Sequence, residues 1–419
     1  MAKIKNILLG LVNQNPAIRR PVKYTVRFLW RLRYFLVRAV SRTDDHLCVF
    51  EAYQGRQYTC SPRAVYEEML KKEAKEGYRF IWVFREPQSY RQLENNPGTT
   101  LVKLGSAAYY RAFARAKYWV VNSRTRHCLV PGKDQCFLQT WHGTPLKRLG
   151  CDIDVEGNNV VSLKEMKADY VKEGKRVSYF LSPSSFYSDK IASAFGLSEE
   201  EKRKKLIELG YPRNDGLFGD LEEKKNMACK KLGLPRGKKV ILYAPTFRDN
   251  QHTRNGCGFT LGFDLDYFVK EFGKEYVMLF RTHYFVTEQI DLTPFAGIVF
   301  DVTDWDDINE LYLASDVLVT DYSSVFFDYA NLKRPVLFFM YDIEEYQSHI
   351  RDFYLDPKEL PGPVVRTEEE LYEALRRLPG QDVYDERYRR FHEKYNYLDG
   401  PDTSRKVADW MLNVRKREI

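Results

Sequence analysis

The sequence predicts an α/β protein built from two Rossmann-like, doubly wound domains. Short apolar segments of strand length alternate with helical segments from about residue 46 onwards, a pattern typical of parallel sheets with helices on both faces. This alternation occurs in two runs of similar length that divide near residues 215–223. With 419 residues, 44% of them hydrophobic, the chain can bury two cores of ordinary domain size.

We expect four segments. A basic arm covers residues 1–45, an N-terminal Rossmann-like domain covers 46–218, a C-terminal one covers 219–390, and a helical segment at 391–419 packs back across the domains. Neither domain contains a GxGxxG or GxxxxGK[ST] motif, which disfavours a nicotinamide-dependent enzyme and a P-loop ATPase. The seven cysteines include no CxxC pair, which argues against a disulfide framework or a zinc knuckle and favours a reducing cytosol.

The N-terminal arm carries the excess of positive charge. Residues 1–42 contain ten Lys or Arg and no acid, and the remaining chain has 56 basic against 58 acidic residues. Within the arm, helical spacing predicts a basic amphipathic helix. Its basic stripe consists of Lys23, Arg27, Arg31, Arg38 and Arg42. Its apolar residues are Phe28, Leu29, Leu32, Phe35 and Leu36.

Three roles are open for this arm. No apolar run approaches the roughly 20 residues that span a bilayer, and no signal-peptide pattern is present. The favoured role is a helix on an anionic membrane surface, with Trp30 and Tyr34 at headgroup depth, which predicts a peripheral protein on the cytoplasmic face. The alternatives are a helix docked on the protein's own body and an RNA-binding arm. No RNA-binding module follows, so we expect no nucleic-acid partner.

The predicted carboxyl ends of the strands, where ligands bind in doubly wound sheets, have a distinct composition. They are rich in hydroxyl, guanidinium and imidazole groups and poor in carboxylates, which suits a phosphate-bearing ligand. The segments are TWHGT, SPSS, GYPRND, APTFRD, RTH, TDYSS and the YD that follows Met340.

The segment TDYSSVFFDYA predicts an anion site. A buried strand ends at Val319, and Ser323 or Ser324 can cap a helix whose free N–H groups and dipole attract a phosphate. Asp328, further along this helix, could reach a ribose hydroxyl. The alternative is that the serines only cap the helix and Asp321 only forms a turn.

Two further strand ends carry cations. In YAPTFRD, Arg248 could form paired hydrogen bonds to a phosphate, or a surface salt bridge to Asp249. In LFRTHY, Arg281 and His283 lie two residues apart and therefore on the same side of an extended segment. His283 is either functional or a structural histidine, and its place beside an arginine favours function.

Taken in order, these motifs resemble the CDP-glycerol glycerophosphotransferases that prime or polymerise teichoic-acid-like polymers. The resemblance runs from about Leu47 to Pro401. It rests on VFEAYQGRQYTCSPRAVYEEML, QTWHGTPLKRLG, GYPRND, YAPTFRD, RTH, TDYSSVFFDYANLKRPVLFF and FYLDPKELPGPVV.

The resemblance implies a GT-B fold with an active site in a cleft between an N-terminal acceptor domain and a C-terminal CDP-donor domain. A hydroxyl would attack the β-phosphorus of CDP-glycerol and CMP would leave. His142 is then the candidate general base, and His283 would support the pyrophosphate or leaving group. The implied donor and phosphate residues are Thr246, Arg248, Arg281, Thr320, Ser323, Ser324 and Asp328. The implied acceptor or auxiliary residues are Trp141, Gly143, Thr144, Lys147, Arg213 and Asn214.

The chemistry supports the histidine assignment independently of the resemblance. An alcohol is a weak nucleophile at neutral pH, and an imidazole is the side chain best suited to accept its proton. Gly143, which follows the histidine, would allow a sharp turn and the close approach of a ligand. The alternative is a core histidine buttressed by Trp141. Similarly, Lys147 and Arg148 either contact acceptor phosphates or form a solvated helix face.

The resemblance also implies the partners. These are CDP-glycerol or CDP-ribitol, a lipid-linked saccharide or polyol-phosphate acceptor, and an anionic membrane; no cofactor is required, and Mg²⁺ would be at most an accessory to the pyrophosphate. TCSPR and RDFY depart from the family pattern, and the second keeps CDP-ribitol as an alternative donor. A nucleotide-sugar glycosyltransferase and an inactive scaffold stay open as further functional classes. Single addition or polymerisation, the acceptor and the oligomeric state stay open as well.

Overall fold

The protein is described by a computed structural model at residues 16–154, 162–246, 252–253, 256–257, 261–282, 290–344 and 352–414. Its chain divides into two compact units. The first unit contains the residues up to Tyr58 together with Met69–Gln139, and the second contains Thr59–Glu68 together with the chain from Thr140 onwards. The domain boundaries expected from the sequence stay a prediction.

The first unit contains a parallel sheet whose strands lie in the order β3-β2-β1-β4-β5. These strands are β1 (Asp44–Glu51), β2 (Arg79–Phe84), β3 (Thr99–Lys103), β4 (Ala116–Val121) and β5 (Cys136–Gln139). The helices of this part of the chain are α1 (Pro16–Ala39), α2 (Cys60–Glu76), which begins in the second unit, and α3 (Ala107–Arg115).

The second unit contains a six-stranded parallel sheet in the order β12-β11-β8-β13-β14-β15. Its strands are β8 (Lys239–Ala244), β11 (Tyr276–Phe280), β12 (Val299–Asp301), β13 (Val317–Thr320), β14 (Val336–Phe339) and β15 (Val364–Val365). Two other pairs are the parallel β6 (Tyr179–Ser182) and β7 (Leu206–Glu208), and the antiparallel β9 (His252–Thr253) and β10 (Gly256–Cys257).

The helices of the second unit begin mostly at residues that cap them. Side chains of Ser162, Ser184, Asp220, Asp264 and Asp385 accept a backbone N–H of the first turn, and Ser198 and Thr367 form full capping boxes with glutamates. These helices are α4 (Leu163–Arg176), α5 (Ser185–Ala194), α6 (Glu199–Lys205), α7 (Leu221–Lys231), α8 (Leu265–Phe272), α9 (Ile308–Ala314), α10 (Val325–Tyr329), α11 (Glu368–Arg377), α12 (Glu386–Tyr395) and α13 (Thr403–Val414).

Both faces of the six-stranded sheet are covered, as the apolar strand sequences predict. Along β8, Val240 and Leu242 belong to one buried cluster, whereas Ile241 and Tyr243 belong to the other. This alternation is the period of two that a strand imposes on its side chains. The prediction of parallel-sheet α/β domains is therefore confirmed.

Helix α1 packs on the rest of the first unit through one face. Tyr34 is only 3% exposed, so its expected position at headgroup depth was wrong: it packs inwards. Arg33 lies over the ring of Tyr110 at 4.8 Å, and Arg38 pairs with Asp134 at 2.9 Å. The apolar residues Phe28, Leu29, Leu32, Phe35 and Leu36 are all exposed. No helix in the described part of the chain is long and apolar enough to cross a bilayer.

Candidate active site

The six-stranded sheet reverses its strand order between β8 and β13, the type of position at which doubly wound sheets bind ligands. β8 leads into Thr246, and β13 leads into Asp321. The Oδ1 atom of Asp321 accepts the backbone N–H of Thr246 at 2.7 Å and also that of Tyr322. Asp321 is 2% exposed. This buried carboxylate therefore joins the two segments that the sequence assigns to donor binding.

The serines that follow are half-buried at the start of α10. Ser324 occupies the N-cap position, but its side chain makes no capping hydrogen bond, in contrast to the prediction. The reason is its backbone, because φ −77° and ψ 3° are not the extended values with which an N-cap side chain reaches back to the first turn. The Oγ atom of Ser324 instead lies beside Gly143, where an added Cβ would be 3.0 Å from it.

Two other predicted donor residues make bonds within the second unit. The hydroxyl of Thr320, which is fully buried, donates to the carbonyl of Ala244 at 2.7 Å. The guanidinium of Arg281 donates to the carbonyls of Val302 and Trp305 at 3.2 and 2.8 Å. Thr320 thus links two strands, and Arg281 holds the loop that follows β12.

Arg248 and His283 lie outside the described residues. Thr282 directly precedes His283 in the chain. Its N–H and hydroxyl lie 3.2 and 3.0 Å from the hydroxyl oxygen of Thr303. The roles predicted for Arg248 and His283 stay predictions.

The segment after β5, residues 140–154, contains His142, and we call it the histidine loop. A residue near its start is strained. Trp141 has φ +50°, a left-handed conformation that is uncommon outside glycine and rare for a bulky side chain. Its indole is 6% exposed and contacts Phe195 edge-on at 5.5 Å. The ring of His142 stacks on this indole at 4.6 Å, and His142 itself is exposed. A buried tryptophan thus supports a histidine that faces solvent, and the sharp turn is at Trp141 rather than at Gly143.

The residues after the glycine connect this loop to another segment. Thr144 is 2% exposed, and Lys147 is half-buried and forms an antiparallel bridge with Phe353. The ring of Phe353 stacks on Tyr322 with centroids 5.7 Å apart. The histidine loop and the segment after β13 therefore meet both at Gly143 and through Phe353.

Arg213 and Asn214 form a buried network with Asp328. The guanidinium of Arg213 donates to both carboxylate oxygens of Asp328, at 3.0 and 2.8 Å, and the amide of Asn214 donates to the same carboxylate at 3.0 Å. Burial opposes the charge of Arg213, but the Asp328 carboxylate outweighs it and raises the pKa of the guanidinium. Asp328 is 7% exposed, so in this structure its carboxylate is occupied by protein donors. Its predicted ribose contact stays a prediction.

Asp399 extends this network towards the C-terminus. Its carboxylate accepts the N–H of Tyr211 at 2.8 Å and the side-chain amides of Asn214 and Asn331 at 2.7 and 2.9 Å. Burial raises the pKa of Asp399 to about 6, against the lowering effect of these three hydrogen bonds. One buried carboxylate thus connects the GYPRND segment to the chain around residue 399.

The first unit also has strain where its strand order reverses, between β1 and β4. Tyr53 and Gln54, which follow β1, have φ +47° and +56°. Their N–H groups donate to the side chains of Asn122 and Ser123, which follow β4, at 2.7 and 3.1 Å. The arrangement parallels the one that Asp321 makes in the second unit, because in each case a side chain after one strand fixes the backbone after its neighbour.

The profile of one protein family covers most of the chain. This family, CDP-Glycerol:Poly(glycerophosphate) glycerophosphotransferase, matches residues 32–413. The chain belongs to this family. The family resemblance predicted from the ordered motifs is therefore confirmed.

Two relatives of this chain are teichoic acid poly(glycerol phosphate) polymerases. The protein of Bacillus subtilis (strain 168) is 42% identical over 370 residues, which are 87% of this chain and 48% of the relative. The protein of Bacillus spizizenii is 36% identical over 398 residues, which are 92% of this chain and 99% of the relative. The chain thus spans about half the length of the first relative and nearly all of the second.

A solved structure has the same fold. The wall teichoic acid polymerase TagF superposes with a TM-score of 0.83 at 36% identity, covering 96% of this chain and 97% of TagF. A histidine variant of TagF soaked with CDPG gives the same TM-score at 35% identity, covering 96% and 98%. The predicted GT-B fold class is confirmed by this likeness.

Sequence reasoning missed two buried carboxylates of this protein. Asp321 was expected at most to form a turn, and Asp399 was not singled out. The signal for Asp321 was available, because it is the acidic residue directly after a buried strand. Asp399 had only its place in the short LDGPD stretch near the end of the resemblance. Among the described residues, no three His, Cys, Asp or Glu side chains gather as metal ligands.

Proposed function

We propose that this protein transfers glycerol phosphate from CDP-glycerol to a hydroxyl of a teichoic-acid-type acceptor and releases CMP. The observation that carries the proposal is the approach of Gly143 to the Ser324 hydroxyl, because it brings the loop of an exposed histidine against the segment assigned to donor phosphates. Both relatives described above are poly(glycerol phosphate) polymerases, which favours glycerol over ribitol in the donor.

In the proposed step, the acceptor oxygen attacks the β-phosphorus of CDP-glycerol. One O–P bond forms, the bond between the β-phosphorus and the bridging pyrophosphate oxygen breaks, and that oxygen leaves with CMP. His142 accepts the proton of the attacking hydroxyl. Its exposure gives an acceptor access to the ring, and its stacking on a buried indole limits the positions of the imidazole. A fixed ring helps because a general base must lie within hydrogen-bond reach of the proton it removes.

The segments that follow β8 and β13, where the strand order reverses, would stabilise the leaving group. Ser323, Ser324 and Thr246 supply hydroxyl groups there, and the buried carboxylate of Asp321 fixes the backbone between them. Arg248, Arg281 and His283 complete the proposed set of phosphate contacts. Preorganised donors of this kind stabilise charge that develops as a phosphoryl group is transferred.

Membrane attachment through α1 is part of the proposal, and it makes a lipid-linked acceptor the natural substrate. The packing of α1 divides its surface in two. Arg33, Arg38 and Tyr34 face the first unit, whereas Phe28, Leu29, Leu32, Phe35 and Leu36 stay exposed. A contiguous exposed apolar face on a basic helix is typical of a helix that lies in a membrane interface. The protein would then act on the cytoplasmic face as a peripheral protein.

The proposed reaction needs no cofactor. Proton transfer is assigned to an imidazole and charge stabilisation to arginine, hydroxyl and N–H groups. Mg²⁺ would act at most as an accessory that neutralises the pyrophosphate. We therefore expect CMP release to persist in the presence of EDTA.

The test of the proposed function is CMP release by the full-length protein on anionic vesicles that carry a lipid-linked acceptor. CDP-glycerol, CDP-ribitol and a UDP-sugar are compared as donors. We expect release from CDP-glycerol with incorporation of glycerol phosphate into the acceptor. If only CDP-ribitol is turned over, the donor is CDP-ribitol and not CDP-glycerol. If only the UDP-sugar is turned over, the proposed reaction class is wrong.

A further inference from the structure

A polar cavity of about 370 Å³ lies in the second unit, next to the histidine loop. Its volume is in the range of sites that bind small ligands. Three segments line it with polar and charged side chains: Arg148, Asp152 and Asp154 from the end of the histidine loop, Asp189 and Lys190 from α5, and Tyr354 from the segment before β15. The cavity was not among the sites expected from the sequence.

Tyr354 fixes one wall of this cavity. Its backbone N–H donates to the carbonyl of Leu146 at 2.8 Å, and its hydroxyl accepts the N–H of Leu149 at 3.1 Å and donates to Asp152. The preceding residue, Phe353, stacks on Tyr322 of the segment after β13. Three hydrogen bonds therefore fix this wall. Phe353, the residue next to Tyr354, packs on the candidate donor segment.

The carboxylate of Asp152 can accept hydrogen bonds from hydroxyl groups. One of its carboxylate oxygens accepts from Tyr354 and the other accepts from Ser193 at 2.5 Å. Each carboxylate oxygen has a further lone pair, so the group can also accept a hydrogen bond from a ligand hydroxyl. The other two lining carboxylates are neutralised by cations, because Asp189 pairs with Lys202 at 2.5 Å and Asp154 pairs with Arg148 at 3.2 Å.

Lys190 supplies a cation to the same cavity. Its ammonium lies 5.5 Å from the centre of the Tyr354 ring and 5.6 Å from that of Phe186. It forms no ion pair with any residue in the described part of the chain, whereas Arg148 pairs with Asp352 at 2.9 Å. An ammonium held over aromatic rings without a carboxylate partner is available to an anionic ligand.

We infer that this cavity binds a glycerol-phosphate unit in the part of the acceptor already built, next to the hydroxyl that attacks the donor. The inference rests on the proposed function. A glycerol-phosphate unit combines a phosphodiester, which Lys190 would bind, with hydroxyl groups, which Asp152 would bind. The cavity adjoins the loop of the proposed base, so the part of the acceptor already built would extend from His142 into it.

The test is acceptor kinetics with Lys190→Ala, which removes the cation from the half-buried wall. Two synthetic lipid-linked acceptors are compared, one bearing two glycerol-phosphate units and one bearing none. Loss of one charge-assisted hydrogen bond should raise KM for the first acceptor about tenfold. KM for the second acceptor and for CDP-glycerol should not change. Lys190→Arg should restore most of the affinity.

Lys172→Ala is the matched control, because it removes a lysine from a position on the neighbouring α4 that does not line the cavity. Binding of glycerophosphoglycerol, followed by saturation-transfer NMR, measures the site without turnover and so separates this inference from the proposed function. We expect binding to the wild type that Lys190→Ala abolishes and that inorganic phosphate displaces only weakly. An unchanged KM for both acceptors, an equal rise for both, or equal displacement by inorganic phosphate would overturn the inference.

Discussion

His142 and Trp141 show how one residue determines the position of the next. A left-handed tryptophan costs on the order of 1–2 kcal/mol, and its buried indole stabilises the conformation through contacts with Phe195. Because the backbone turns at Trp141, the next side chain is exposed although its ring is stacked. Strain of this kind is common at functional sites, which supports a catalytic role for His142.

We expect His142→Ala to lower kcat at least about 100-fold, since a general base contributes that much or more. Affinity for CDP-glycerol, measured by calorimetry, should stay within about twofold of the wild-type value. His46→Ala, at an exposed position of β1, is the control for loss of an imidazole. Undiminished CMP release by a folded His142→Ala protein would rule out this residue as the base.

Gly143→Ala tests the approach of the histidine loop to Ser324. The new Cβ would lie 3.0 Å from the serine Oγ, so the Ser324 hydroxyl must give way by a few tenths of an ångström. We expect kcat/KM to fall about tenfold, because small displacements of reacting groups are costly, while the melting temperature changes little.

Gly216→Ala is the matched control for this substitution, since its Cβ would meet nothing within 4 Å. If both alanine variants keep wild-type kcat/KM, the close approach at Gly143 has no role in turnover.

At the scale of elements, the observed packing of α1 is compatible with its proposed membrane role, although the sequence offered the two as alternatives. Its residues Tyr34, Arg33 and Arg38 dock on the first unit, so the helix has a fixed orientation. The apolar residues that remain exposed then lie on the solvent-facing side of a helix whose orientation is fixed. A fixed orientation would lower the entropy that is lost in the proposed binding to a membrane.

We expect Phe28→Glu with Phe35→Glu to abolish cosedimentation with anionic vesicles. Burial of each phenylalanine contributes about 1.5–3 kcal/mol, and each new carboxylate is repelled by the lipid headgroups. CDP-glycerol binding should persist. Met227→Glu, at an exposed apolar position on α7, should sediment like the wild type. Cosedimentation of the double variant at the wild-type level would place membrane binding elsewhere or exclude it.

For the molecule as a whole, Asp399 links parts of the second unit that are far apart in the sequence. Its carboxylate contacts Tyr211, 188 residues away, and through Asn214 it joins the pair of Arg213 and Asp328. A buried network of this kind stabilises the fold only while its members stay paired. The ionisation of Asp399 should therefore affect global stability.

The pKa of Asp399 predicts the sign of that effect. Burial raises it from 3.8 to about 6 in the folded protein, so between these values the folded state binds a proton that the unfolded chain has released. The contribution of this group to stability is therefore full below about pH 4 and is lost as the pH rises through 6, a difference of roughly 3 kcal/mol.

Urea unfolding between pH 8 and pH 5 measures this contribution. Relative to Asp399→Asn, the wild type should gain stability as the pH falls. The control Asp266→Asn, at an exposed position of α8, should leave the pH dependence unchanged. A constant difference between the wild type and Asp399→Asn across this range would show that Asp399 does not titrate in it.

The sequence by itself determined the family, the alternation of parallel strands and helices, and the segments that carry the candidate site. These features are encoded locally. Apolar residues repeat with the period of a strand or a helix, and motifs such as TWHGT and TDYSS are continuous in the chain. The order of the motifs was enough to predict membership of the glycerophosphotransferase family.

Only the tertiary structure decided which side chains meet. Asp328 lies 115 residues from Arg213, Asp321 lies 75 residues from Thr246, and the cavity with Lys190 is assembled from three separate segments. No local pattern encodes such pairs, because they depend on how strands and helices pack after they have formed. For the same reason the left-handed Trp141 was not predicted, since the contacts that stabilise its indole come from residues distant in the sequence.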